Sequence, residues 1–297
     1  MNLELERATL AATRIPRGGR RVRRPRMTPG LLLTYAFLLG LATFCVVPFL
    51  WVFLASADPT AGVRLMVPDP FSLDNYREFF DNPTLVRNLL NSLVMAGGST
   101  IVVISTATLG GYALSRFDFR FRRALMMGVL MTRIIPVTAT IAPLYLIAQR
   151  MGLVDTYHGL ILILAAQQLP LALWLMKGFF DTVPGELEEA AWIDGTGRLG
   201  SAIRIVLPLA APGVGAAALF AFIESWGDFL TPFILITSSD RFPLSVGLYA
   251  AYKGHNVIDW GLLTATSVIY MLPTVVLYLI VRRYLLRATA VGALQGQ

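Results

Sequence analysis

The chain is poor in charge. Only 14% of its 297 residues are Asp, Glu, Lys or Arg, against about 25% in an ordinary soluble domain. Lysine is almost absent: Lys177 and Lys253 stand among 25 basic residues, so arginine carries the positive charge. One cysteine, Cys45, can form neither an intrachain disulfide nor a cysteine metal cluster, and the redox compartment is not legible from it. His158 and His255 are far apart and no His-Glu-x-x-His pattern occurs, which removes the usual zinc hydrolase motif. No Gly-x4-Gly-Lys-Ser/Thr phosphate loop is present, so the chain has no nucleotide hydrolysis motif of its own. What fills the space is apolar, with 56% of residues hydrophobic. A soluble domain of about 300 residues leaves about a quarter of its unfolded-chain surface in water, too much to hide this composition. A soluble enzyme and a disordered chain are both excluded, and an all-α, polytopic membrane protein is predicted.

A bilayer span needs about 20 apolar residues. Six segments qualify: 31–54, 89–114, 124–148, 160–180, 209–236 and 260–281. Pro48, Gly110, Gly111, Pro136, Pro143, Pro170 and Pro273 lie inside them, which membrane helices tolerate when neighbours satisfy the freed backbone groups. The first segment is too long, and lacks a following small-residue cleavage site, to read as a secretory signal. Eight arginines precede it, from Arg7 to Arg26. A run abutting a span reads as a topogenic anchor at anionic lipid rather than a nucleic-acid arm. With six spans both termini share one side. That side carries eighteen basic residues and the other six, so the termini are predicted to be cytoplasmic. The 115–123 and 181–207 loops then face inward, and 55–88, 149–159 and 237–259 outward.

The 181–207 loop is long and internally patterned. Pro184 suits a first helical turn, and Glu186, Glu188 and Glu189 follow where the helix dipole favours acids. Asp194-Gly195 reads as a helix stop able to take positive φ. The spacing predicts a helix over 184–194, too short to span. Thr196 is the expected cap of a second helix with Leu199, Ala202, Ile203 and Val206 on one face. Leu187, Ala190, Ala191 and Asp194 recur at three- and four-residue spacing, and the two alanines leave a shallow face that another protein can approach. A helix lying flat on lipid calls for Lys or Arg on its polar face, and 184–194 has none.

Glu189-Ala190-Ala191, then Gly195, then Ile205-Val206-Leu207-Pro208 match EAA-x3-G-x9-I-x-L-P at each fixed position. The chain thereby resembles the permease subunits of bacterial ABC importers. Further likeness comes from Asn91-Ser92-Leu93, Gly111-Tyr112-Ala113-Leu114-Ser115-Arg116-Phe117, Pro143-Leu144-Tyr145, Gly152-Leu153-Val154-Asp155-Thr156, Phe180-x3-Pro184 and Trp226-Gly227-Asp228-Phe229. These are similar to the sugar-importing branch and its small, maltose-permease type subunit. Gly227 departs from that branch, which often has Asn there. The resemblance implies the type I ABC importer fold, with an Arg-rich cytoplasmic tail over 1–29, a six-helix permease domain over 30–284 and a cytoplasmic tail over 285–297. The EAA coupling loop would occupy 181–208. It further implies a second permease subunit, two ATP-binding subunits that hold ATP and Mg, an extracytoplasmic solute-binding protein, a sugar substrate, and a place in the bacterial inner membrane. No cofactor would be bound by this chain. Glu188, Glu189, Ala190, Ala191, Asp194, Gly195, Ile205, Leu207 and Pro208 would couple to the ATPase. Among them, Glu189 would contact a basic group, the alanines would permit close approach, and Ile205, Leu207 and Pro208 would seat the second segment.

Arg133, Glu224 and Asp228 are ionisable residues inside predicted spans, so each must face protein or water. Glu224 and Asp228 are four residues apart, on one helix face, with Trp226 and Phe229 beside them. Carboxylates accept sugar hydroxyls and rings cover sugar faces, so these four are candidate substrate-path residues. The competing reading pairs either acid with Arg133 or with the partner permease. Outside, Tyr249 and Tyr252 are candidate contacts to the binding protein, or members of an interfacial aromatic belt. Two alternatives to sugar import stay open: import of a glycerol-phosphodiester or polyol phosphate by the same machinery, and a membrane scaffold docking a cytoplasmic partner.

Overall fold

The structure, a computed structural model, describes residues 29–64, 66–252 and 258–294. Most of the Arg-rich tail, Lys253 and His255 lie outside them. Among the described residues there are helices and no strands. In chain order they are α1 (Pro29–Ser56), α2 (Asp74–Asp81), α3 (Pro83–Arg116), α4 (Arg122–Met131), α5 (Val137–Arg150), α6 (Tyr157–Asp181) and α7 (Glu186–Ile193). After them come α8 (Arg198–Ser201), α9 (Leu207–Leu209), α10 (Ala211–Gly227), α11 (Leu230–Leu235), α12 (Leu244–Tyr252) and α13 (Trp260–Leu294). The last helix runs through most of the expected 285–297 tail.

Four helices are long and apolar enough to cross a membrane: α1, α3, α6 and, over Trp260–Arg282, α13. Two bent pairs bring the number to six where each counts as one span. The expected continuous span 124–148 is one of them. It breaks into α4 with a 3-10 turn (Thr132–Ile134) and α5, which meet at 103°. Ile135 precedes Pro136 and is extended (φ −79, ψ 119), because a proline ring excludes its predecessor from the helical region. The expected 209–236 span also breaks. α10 ends at Gly227, Asp228 is extended, and α11 follows. Upstream, the stretch Arg198–Leu209 meets α10 at 73°.

The chain divides into two compact units at Phe49. The first contributes the apolar part of α1 up to Phe49, whose side chains are nearly all exposed. The second holds the core. α3 starts where Asn82 Oδ1 accepts from the backbone N–H of Thr84 (3.0 Å) and Leu85 (3.3 Å), with Pro83 in the first turn. Its small-residue face meets α6 and α10: Val103 and Ala107 pack with Ala165, Ala172 and Met176 and with Ala217 and Ala221. Close approach without a hydrophobic driving force is how membrane helices associate. Gly111 shows the requirement, since a Cβ there would lie 2.8 Å from Met176 Cβ and 3.0 Å from Lys177 N.

Candidate functional site

The 181–208 loop begins at a fastened helix end. Asp181 at the close of α6 accepts from Ser115 Oγ of α3 (2.7 Å) and pairs with Lys177. Two turns later α7 forms, shorter than the expected 184–194. Its three glutamates part company. Glu188 turns inward, 2% exposed, and is held by Arg116 Nε and by Tyr112 Oη (2.7 Å). Arg116 Nη2 also donates to Val183 O (2.8 Å), so one guanidinium ties the end of α3 to both ends of the connection into α7. Ala191, one turn on from Glu188, is buried as well. Glu189 and Ala190 face outward. Of the residues expected to meet a partner, Glu188 is therefore spent on an internal clasp.

α7 stops as expected. Gly195 has φ +84; its N–H donates to Trp192 O (3.1 Å) and Thr196 N–H to Ala191 O (2.9 Å), the paired bonds of a Schellman motif. Asp194 is exposed at this end. The second helix differs from expectation. Its cap is Gly197, with no side-chain bond from Thr196. A π-turn over Ala202–Val206 then changes the helical period, so the expected single apolar face splits. Val206 is fully buried against the α3–α6–α10 core with Ala210, whereas Leu199 and Ile203 are exposed. Leu207 is half-buried on that core, Ile205 is half-buried, and Pro208 is exposed. Trp192 Nε1 donates to Ser201 Oγ (2.9 Å) and Arg198 lies 5.2 Å over the Trp192 ring, which holds the two short helices together. Leu187 and Ile193 are left exposed on α7, outside any candidate span, and Leu199 and Ile203 on the stretch Arg198–Leu209 that bends into α10.

At the opposite end of α6, Asp155 is the fastener. It has φ +58, and its carboxylate accepts from the N–H of Thr237 (3.1 Å) and Ser238 (3.0 Å), from Ser238 Oγ and from Arg241. The Ser238 hydroxyl above all holds the carboxyl below the ordinary range, with those N–H groups and Arg241 acting the same way against partial burial. Tyr249 packs edge-on to Phe229 and Phe233 at 5.5 and 5.3 Å. Tyr252 is half-buried and donates to Asp259 O (3.4 Å); burial foremost, with the nearby acids Asp259 and Glu78, raises its phenol above the usual value.

Between these ends lies a cavity of about 880 Å³ formed by the α4–α5 bend, α6 and the end of α10. It is lined by Arg133, Gln167, Gln168, Glu224 and Asp228 on a polar side, with Pro136 and Leu162 among the apolar residues. Arg133 Nη1 lies 3.8 Å from Glu224 Oε2, and Nη2 donates to Gln168 Oε1 (3.1 Å). The pairing expected of Arg133 with an acid is thus the one formed with Glu224. Asp228 lies beyond the helix end rather than on the helical turn with Glu224, yet both reach the cavity. Its carboxylate accepts from Thr231 N (3.1 Å) and Thr231 Oγ1 (2.5 Å), and Gln167 Nε2 reaches Thr231 Oγ1 (3.3 Å). The two aromatics do not line the cavity. Trp226 is 5% exposed, stacked between Phe222 and Tyr270, and donates to Tyr270 O (3.1 Å). Phe229 stacks on Phe233 at 5.1 Å. Of the site residues, Gln168 belongs to no sequence pattern; Tyr112 and Arg116 lie in a segment of family likeness with no role assigned, and Val206 lies on the expected face of the second helix.

Comparison with known proteins places this geometry. Residues 106–291 match the family model described as binding-protein-dependent transport system inner membrane component. The trehalose/maltose transport system permease protein of Thermococcus litoralis is 33% identical over 272 residues, covering 90% of this chain and 97% of that protein. The diacetylchitobiose uptake system permease protein of Streptomyces coelicolor is 32% identical over 265 residues, 88% of this chain and 87% of its own. Among solved structures, a bacterial ABC transporter involved in import of the acidic polysaccharide alginate superposes with TM-score 0.73 at 21% identity, over 88% of this chain and 99% of that one. The last likeness establishes the fold, that of an ABC importer permease. The chain belongs to the binding-protein-dependent transport system inner membrane component family, as a multi-pass membrane transport subunit rather than an ATPase.

Proposed function

We propose that the chain is one of two permease subunits of an importer that carries a mono- or oligosaccharide across the bacterial inner membrane. The sugar is delivered by an extracytoplasmic binding protein, and ATP with Mg is hydrolysed on two partner subunits. The relatives named for trehalose/maltose and diacetylchitobiose support the sugar class. The observation that carries the coupling role is the division of α7. Glu188 turns inward to the Arg116 clasp and Ala191 is buried, which leaves Glu189 and Ala190 outward beside exposed Leu187 and Ile193. Large apolar side chains exposed outside the bilayer call for a protein partner. Glu189 offers that partner a charge-assisted contact, Gly195 makes the turn, and Leu207 with buried Val206 seats the second segment on the membrane helices. Closure of the ATPase pair then acts on α3 and α6 through the clasp. A population shift of this kind requires contacts that differ between the two states, which the docked helix supplies.

The Arg-rich tail sets both termini in the cytoplasm, placing Tyr249 and Tyr252 on the side of the binding protein. The test is Glu189→Lys and Gly195→Pro in the full complex. Loss of ATPase co-purification together with sugar uptake is expected; survival of both in either variant would remove the docking role.

A further inference from the structure

The cavity at the α4–α5 bend presents an uncommitted hydrogen-bond donor. Gln168 is only 6% exposed, its Oε1 is taken by Arg133, and its amide nitrogen has no partner among the described residues while the side chain lines the cavity. Among the described residues the buried side-chain atoms without a partner are Trp51 Nε1 and Thr266 Oγ1, so the Gln168 nitrogen is accessible and can donate into the cavity. Across from it, the Glu224 side chain is 49% exposed and that of Arg133 35% exposed, on bent helix pairs apolar enough to cross a membrane, where ionisable groups avoid lipid. Protein or an aqueous chamber must therefore cover this wall. Arg133 is the one cation of the described lining, and it is committed to Glu224 and Gln168. Asp228 is held in place by Thr231, itself bonded to Gln167 of α6, with no cation paired to it among the described residues. The formal charge of the lining is thus negative by one, from one arginine against two acids.

We propose that this chain forms one wall of the substrate chamber and that the wall selects an uncharged polyhydroxylated substrate. Gln168 donates from its amide nitrogen to a hydroxyl oxygen, and Glu224 and Asp228 accept from hydroxyls. No unpaired cation is offered to a phosphate, sulfonate or uronate, and the surplus acid repels one. Among the described residues the lining includes no aromatic side chain. The platform that usually covers a sugar's apolar face must come from the covering partner. The proposal rests on the sugar-import reading and narrows it against a polyol phosphate.

The test uses the whole importer in proteoliposomes. Thermal shift of its binding protein first sorts maltose, trehalose and N,N′-diacetylchitobiose from an alginate trisaccharide and a glycerophosphodiester; ATP-driven uptake of the captured compounds is then measured. Capture and uptake of a neutral sugar are expected. Uptake of an anion with neutral sugars ignored overturns the charge selection and leaves the importer reading standing. Capture and uptake of none, with ATP hydrolysis unaffected by binding protein, sinks both. Gln168→Leu is expected to lower uptake of the neutral sugar by about fivefold or more, the worth of one hydrogen bond; unchanged uptake overturns the wall. Should that variant fail to assemble, Thr140→Cys in a Cys45→Ser background reports on the same cavity by thiol labelling. Labelling slowed about threefold or more in the sugar-loaded, vanadate-trapped complex, as occupancy of the chamber demands, supports the wall; equal labelling with and without sugar overturns it.

Discussion

Arg116 at the end of α3 and Glu188 in α7 form an ion pair across 72 residues of sequence, with side chains 17% and 3% exposed. Arg116 reaches Val183 O at the same time, and Tyr112 donates to the other carboxylate oxygen. Each polar group in this cluster has a partner, the condition under which a buried pair is tolerated.

Removing one member strands the other. Arg116→Ala or Glu188→Leu should cost about 3–5 kcal/mol of local stability, since an uncompensated buried charge is left behind. Arg116→Lys should fall between, because a single ammonium cannot serve Glu188 and Val183 O together as the planar guanidinium does. In the assembled importer these variants should retain bound ATPase yet uncouple it: ATP hydrolysis loses its response to loaded binding protein while uptake falls. Hydrolysis and uptake declining in equal proportion would argue against a coupling role for the clasp.

Asp155 gives the acid dependence. Its folded value is lowered, chiefly by the Ser238 hydroxyl. A carboxylate depressed on folding adds stability that is present above its unfolded value, about 3.9, and lost as pH falls through the lower folded value. The 149–159 and 237–241 connections should therefore resist proteolysis above about pH 5 and loosen below about pH 4. Asp155→Asn keeps a residue that tolerates positive φ but removes the charge, so cleavage should rise at neutral pH and its acid-dependent increase should shrink. Proteolysis of the purified complex across pH 3 to 7, roughly the span in which carboxylates titrate, checks both parts.

The apolar spans, the short helix and its Gly195 stop were legible because each is a local pattern: a long apolar run, a first-turn acid cluster, a residue able to take φ +84. The breaks at Pro136 and Asp228 were less so. A proline inside an apolar run reads equally as a tolerated kink and as a 103° bend. The clasp left no local trace, since Arg116 and Glu188 belong to different segments. One signal was available: Glu188 and Ala191 are three apart and share a face, while Glu189 and Ala190 lie about 100° and 200° around the helix from Glu188, so inward and outward acids follow from helical spacing once one alanine is known to be buried. Trp226 and Phe229 were expected to face substrate with the acids. Both rings pack on protein neighbours instead: Trp226, still within α10, on Tyr270, and Phe229, past the extended Asp228, on Phe233.

Two glycines of α3 should respond in opposite ways to alanine. At Gly111 a Cβ meets Met176 Cβ and the backbone N of Lys177, so α3 and α6 must separate; a loss of about 1–3 kcal/mol is expected, the usual cost of overpacking. At Gly97 nothing lies within 4 Å, and alanine should be neutral or stabilising by up to about 1 kcal/mol, the helix-propensity difference. Thermal unfolding of the detergent-purified complex separates them. Equal destabilisation at both sites would mean that the packed state places another chain against Gly97.

The Arg133–Glu224 pair should be weaker than the clasp, and a double-mutant cycle can say by how much. At 3.8 Å it is a charge pair without a tight hydrogen bond, and Arg133 has a second partner in Gln168 at 3.1 Å. Glu224→Gln leaves an arginine at membrane depth with amide partners alone, where an unpaired cation costs about 2.5–3.5 kcal/mol on insertion scales. Arg133→Gln leaves Glu224 and Asp228 on one cavity without a cation, so repulsion adds to that cost. The double neutral variant relieves both and should be more stable than the sum of the single changes predicts, with a coupling of about 1 kcal/mol for so exposed a pair. A coupling of zero would assign Arg133 to Gln168 alone. The Gln168 oxygen would then be the contact that orients the guanidinium, and Glu224 would be free to accept from substrate in every state of the transporter.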